Sequence, residues 1–157
     1  MELEIEKIKF LNNYIIPHIA LTTYKYRAKA AALCKAKNAG ASIDQFIILK
    51  ALSHLNNLTQ QELAEILYKD KSNLSRMIDS LASKGLINCT LDTKDNRAVK
   101  RIQITDKGLS LVENFLPYAI ALHDAAFEGI SPQEIETVKS VMKKIRSNLD
   151  KNIEAEL

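Results

Sequence analysis

Residues 70–85 read DKSNLSRMIDSLASKG, and the spacing of their apolar positions predicts one amphipathic helix with a marked start and stop. Asp70 is a residue type that caps helices, because its carboxylate accepts from first-turn amides that have no partner within the helix. At about 100° per residue, Leu74, Met77, Ile78 and Leu81 fall within a single arc. Ser72, Asn73, Ser75, Arg76, Asp79, Ser80 and Ser83 fall opposite. Gly85 supplies the left-handed residue with which helices commonly end. The polar face is thus short-chained, with one arginine and one acid. Taken alone it fits a solvated surface as well as a reading surface, and its neighbours decide between them.

Upstream, Thr59-Gln-Gln-Glu62 has the form of a capping box and opens a short helix that packs through Leu63, Ile66 and Leu67. Before it, Ser42 and Gln45 start a helix buried through Phe46, Ile47, Leu49, Ala51 and Leu52, which fades at Asn56 and Asn57. Downstream of Gly85 the period changes from about 3.6 to 2. Ile87, Cys89 and Leu91 alternate with polar residues, and alternation resumes at Ile102 and Ile104 after the charged stretch 92–97, as in a β-hairpin with a charged tip. Residues 3–38 read as helix, interrupted at Pro17 by a kink or a junction of two helices. Thr105-Asp106 opens another helix from Leu109 to Phe127, with a break or kink expected at Pro117. Ser131-Pro-Gln-Glu134 starts a last one through Ile135, Val138, Met142, Ile145 and Leu149. The fold class expected is mainly α with a small β-hairpin.

With 157 residues and 46% hydrophobic content the chain can bury a core. Only four Gly and three Pro agree with a helix-dominated fold. The net charge of +3 is unevenly placed. From Lys69 to Arg101, eight basic residues face four Asp, a local excess of +4, while the rest of the chain sums to −1. The positive charge therefore coincides with the polar-faced helix and the hairpin.

Two short helices, the second with a small-polar face, followed at once by a basic hairpin, suit double-stranded DNA. Arg76 can pair bidentately with guanine and Asn73 with adenine in the major groove. Ser72, Ser75 and the helix N-terminal amides, with Lys69 and Lys71 beside them, suit phosphates. Lys94 and Arg97 at the hairpin tip can reach the adjacent minor groove or backbone, and Lys100 extends that basic surface. The competing reading is a protein-interaction module using the same helix, which has no need of Lys94, Arg97, Lys100 and Arg101 in one hairpin. No glycine-rich phosphate loop, nucleophile-base order or convergent carboxylate pair marks an enzyme, and no catalytic residue or cofactor is expected.

The runs LTQQELAE (58–65) and DKSNLSRMIDSLASKGLI (70–87), then Asp95-Asn-Arg97 ahead of ITDKG (104–108), resemble the multiple antibiotic resistance regulator (MarR) family over roughly residues 42–110. The resemblance implies a winged helix-turn-helix lobe at 42–105, flanked by a helical dimerisation region at 1–41 and 106–157. It also implies a homodimer on pseudo-palindromic promoter sites, usually a repressor released by a small ligand or by oxidation. Ser72, Asn73, Ser75 and Arg76 match recognition-helix positions, and Arg97 the wing-tip arginine that Asp95 supports. The spacing from Asp95 to Thr105 is one residue longer than the family's, and Val99 is out of phase with Ile102 and Ile104. A β-bulge on the returning strand would account for both.

For dimerisation the sequence offers Ile5, Ile8, Leu11 and Ile15 near its start and Ile145, Leu149 and Ile153 near its end, to be covered between subunits or by each other. For a small-molecule effector, Tyr14, His18, Tyr24 and Phe46 are candidate lining residues, although aromatics at helical spacing also serve as core. Cys34, beside Lys35 and Lys37, is a candidate for a redox response, against the alternative that Cys34 and Cys89 are buried reduced thiols. In the family's peroxide-sensing branch the reactive cysteine lies near the start of the first helix, and no Cys precedes residue 34 here. His18, His54 and His123 lack metal-site spacing. Neither a signal-peptide pattern nor a run of about 20 apolar residues is present, and a cytoplasmic location is expected.

Overall fold

The computed structural model describes residues 13–94 and 97–151, the side chains of Lys94 and Arg97 excepted. Ile5, Ile8, Leu11, Asp95 and Ile153 lie outside the described residues. The elements are α1 (Ile15–Ala36), α2 (Ile43–His54), β1 (Leu58–Thr59), α3 (Gln60–Leu67), α4 (Lys71–Ser83), β2 (Ile87–Lys94), β3 (Arg97–Ile104), α5 (Asp106–Ala126) and α6 (Pro132–Leu149). By contacts they divide into one unit through Leu122 and another from His123 onward.

In the first unit, local capping chemistry sets the helix starts. Ser42 and Gln45 close a reciprocal capping box on α2, and Thr59 and Glu62 close another on α3. Each satisfies two backbone donors that the helix itself leaves unpaired. Asp70 caps α4 by accepting from the Asn73 amide. Pro17 sits in the first turn of α1, where its missing amide donor costs nothing, and the described helix starts at Ile15 after the extended Tyr14. Pro117 lies inside α5, which continues through it, so no break occurs there.

The sheet is three-stranded in the order β1-β3-β2, both pairings antiparallel. Its register runs without interruption from Ile87 opposite Ile104 to Lys94 opposite Arg97. The β-bulge expected on the returning strand is therefore absent. Val99 is out of phase because it pairs with Asp92, on the sheet face opposite to Ile102 and Ile104, and alternation has a period of two. β1, two residues long, is too short for any alternation to announce it. It pairs Leu58 with Ile102 and Thr59 with Arg101.

The core gathers Phe46, Ile48, Leu49 and Leu52 of α2, Leu63 of α3, Leu74, Ile78 and Leu81 of α4, Ile87 of β2, Ile102 and Ile104 of β3, and Val112 and Phe115 of α5. Leu74, Ile78 and Leu81 are fully buried, and each such side chain contributes about 1.5–3 kcal/mol by leaving water. That is what fixes α4 with its polar face outward. The end of α4 is tied to α5: the Thr105 hydroxyl donates to the Gly85 carbonyl (2.8 Å) and accepts from the Gly108 amide (3.1 Å). Gly85 has φ +67°, as its place at the helix end requires.

In the second unit, Ser131 and Glu134 form a capping box on α6 with Pro132 at its start, but none of that helix's residues is buried. Val138, Val141 and Leu149 are exposed along it.

Candidate nucleic-acid interface

α3 and α4 meet at a tight turn made by Tyr68, Lys69 and Asp70. Tyr68 is left-handed (φ 49°) and ends α3, while the Lys69 amide donates to the Ala64 carbonyl (3.0 Å). The turn points the exposed face of α4 away from the core. Asp70, Asn73 and Arg76 form a chain of hydrogen bonds along that face. Asn73 donates to Asp70 through both its backbone amide (2.8 Å) and its side-chain amide, and its Oδ1 accepts from the Arg76 guanidinium (2.7 Å). The Asn73 backbone amide, then its side-chain amide, hold the Asp70 carboxyl below its ordinary range. Arg76 and Asn73 are thereby pre-oriented on one exposed face.

The other predicted contacts separate into two groups. Lys71 and Ser72 are exposed and Ser75 half-buried on the same helix. Lys69 is tied inward: its ammonium donates to Asp44 (2.7 Å) at the start of α2, and its side chain is 20% exposed. Arg27 of α1 also pairs with Asp44. Burial works to raise the Asp44 carboxyl, but Lys69 and then Arg27 outweigh it and hold the group below its usual range. Lys100 likewise points inward along the wing, donating to Asp79 of α4 (3.0 Å). Arg101, on the other sheet face, pairs with Asp92 and donates to the Asn57 carbonyl (3.1 Å). Lys94 and Arg97 stand opposite each other as the last pair of the hairpin.

Sequence reasoning missed Tyr68 and the pairing of Lys84 with Gln45. Tyr68 is 89% exposed beside the start of α4. Lys84 donates to the Gly40 carbonyl and to Gln45, whose amide donates to Ser80. These are long-range pairings, and no local spacing announces them.

Of the effector candidates, Phe46 is packed in the core and Tyr24 borders a cleft. Phe46 is a core residue, 6% exposed and edge-on to Phe115 with ring centroids 4.9 Å apart. Tyr14 and Tyr24 are exposed and His18 is half-buried. Tyr24 does line an open cleft of about 590 Å³ with Arg27, Cys34, Lys35, Ser42 and Asp44. Cys34 is buried, and burial pushes its thiol upward, away from the thiolate that oxidant sensing needs. Cys89 is half-buried opposite Ile102. Among the described residues no cluster of three His, Cys, Asp or Glu could hold a metal, and no helix is long and apolar enough to cross a membrane.

Residues 42–99 match the family model described as "MarR family". An uncharacterised HTH-type transcriptional regulator of Bacillus cereus (strain ZK / E33L) is 29% identical over 108 residues, covering 68% of this chain and 71% of its own. The crystal structure of a MarR-family transcriptional regulator from Silicibacter pomeroyi superposes with a TM-score of 0.72 at 26% identity, covering 94% of this chain and 93% of the other. That of Staphylococcus aureus MepR, in complex with DNA, gives 0.74 at 24% identity, covering 87% and 96%.

Proposed function

We propose, on the premise that this chain is a MarR-family DNA-binding transcription regulator, that it acts as a homodimeric repressor of pseudo-palindromic promoter sites and is released by a small ligand. The observation that carries the DNA reading is the exposed face of α4, where Arg76 and Asn73 are aligned by Asp70, next to a hairpin whose end pair is Lys94 and Arg97. The helix suits the major groove, and the end of the hairpin suits the flanking backbone or minor groove. Support for a dimer comes from apolar surface that the described chain leaves uncovered: Ile15 and Ile16 on α1, and Val138, Val141 and Leu149 on α6. Two copies give two lobes, and a two-fold axis asks for a pseudo-palindromic site. The cleft by Tyr24 and Arg27 supports a ligand, because Asp44 on its wall is also bonded to Lys69, immediately before the reading helix. A ligand drawing Arg27 or Asp44 away loosens that tie. The region 42–105 is the DNA lobe in this reading, and the helices on either side carry dimerisation.

The test is fluorescence-anisotropy binding to a labelled duplex covering the DNA upstream of the chain's own gene, with unrelated DNA as competitor, over a salt series. Arg76→Ala is expected to cost about 1–3 kcal/mol and to relax discrimination at one base pair. Arg97→Ala is expected to weaken binding to all sequences and to reduce the salt slope by about 0.9. A chain that binds no duplex at low salt does not support the DNA reading and favours the protein-interaction module.

A further inference from the structure

Asp79 is the one acid in α4. It lies one turn beyond Arg76 and Ser75, and one turn before Ser83, so it stands on the stripe that faces DNA in the proposed reading. A carboxylate there repels phosphates and weakens the helix as a DNA ligand. Lys100 answers it. In the hairpin register Lys100 is opposite Leu91, on the same sheet face as the Cys89–Ile102 and Ile87–Ile104 pairs that pack toward the core. It occupies the open end of that face, and its ammonium is 3.0 Å from Asp79 Oδ1. Side-chain exposure is 34% for Lys100 and 64% for Asp79. The cation is thus the more enclosed partner, held against the helix.

From this geometry we propose that Lys100 serves DNA binding through Asp79: it neutralises the acid of the reading helix and props the wing against that helix, as a positioning residue, without itself contacting a phosphate. The inference rests on the DNA reading above. It reassigns Lys100 from the contact surface to the joint between the two parts that touch DNA. The pair has no net charge, so removing both charges leaves the net charge at the helix unchanged, whereas removing Lys100 alone uncovers Asp79.

The experiment compares wild type, Lys100→Met, Asp79→Asn and the double variant on the same labelled upstream duplex over a salt series. Lys100→Met is expected to weaken binding about tenfold, and the double variant to return to within about threefold of wild type with the wild-type salt slope. A double variant that stays as weak as Lys100→Met, with a slope smaller by about 0.9, means a direct phosphate contact and overturns the proposal. A second arm needs no DNA. Amide exchange in the free protein is expected to speed several-fold at residues 89–91 and 100–102 in Asp79→Asn, a variant on an exposed helix face, and wild-type exchange there overturns the propping role. A wild-type chain that binds no duplex defeats the functional reading, and the exchange arm then decides this one.

Discussion

Helices α3 and α4 of the lobe and the helix α6 carry similar amphipathic patterns, yet they end in opposite states. In the lobe, the apolar stripes of α2, α3 and α4 meet one another and the sheet, and Leu49, Leu63, Leu74, Ile78 and Ile102 lose all contact with water. In α6, Val138, Val141 and Leu149 stay exposed, although the helix is as well capped as any in the chain. Capping and periodicity therefore make a helix, but they do not cover it. A closed core holds the side chains on the outer face of α4 at fixed positions. An open apolar stripe is a surface that a partner can cover, and in the proposed function that partner is a second copy of the chain.

The comparison can be broken most forcefully at Gly108. A Cβ there would run into the Leu86 carbonyl and stand 2.7 Å from Ile104 Cγ1, at the joint between lobe and α5. Gly108→Ala is expected to destabilise the chain by about 3 kcal/mol or more, read by urea unfolding. Next is Val141→Asp on α6. It is expected to weaken self-association by about 2 kcal/mol or more in sedimentation velocity, with amide protection of α2 to β3 unchanged. Lost protection in the lobe instead would show that α6 is cover for this chain's own core.

Asp44→Asn sharpens the electrostatic side of the lobe. The substitution leaves Lys69 and Arg27 unpaired and is expected to cost about 1–2 kcal/mol near neutral pH. Because the folded carboxyl is held below its ordinary value of 3.8, its contribution is complete above that value and is lost as pH falls through the lowered one. The gap between variant and wild type is therefore expected to hold from about pH 7 to about pH 5 and to close under stronger acid. A gap that widens with acid would contradict the assigned sign. The smallest effect is at Thr59, buried at the head of α3, where Thr59→Ala removes the acceptor of the Glu62 amide and is expected to cost about 1 kcal/mol by thermal unfolding.

What the sequence by itself determined was local. The caps at Ser42, Thr59, Asp70 and Ser131, the buried side of α4, the stop at Gly85 and the switch to a period of two after it are all consequences of steric and hydrogen-bonding rules that act within a few residues. Those rules also placed Asn73 and Arg76 on one exposed face, so the centre of the candidate site was legible. The tertiary structure alone decided which acid Lys69 and Lys100 each meet. Both read as contacts by charge and position, but their ammonium groups are bonded to Asp44 and Asp79, residues 25 and 21 positions away. It also decided that Phe46 is core, that the hairpin closes without a bulge, and that β1 joins the sheet. Each of these depends on pairs distant in the chain. A side chain's type and phase say which groups it can satisfy, and only the packed fold says which of them it meets.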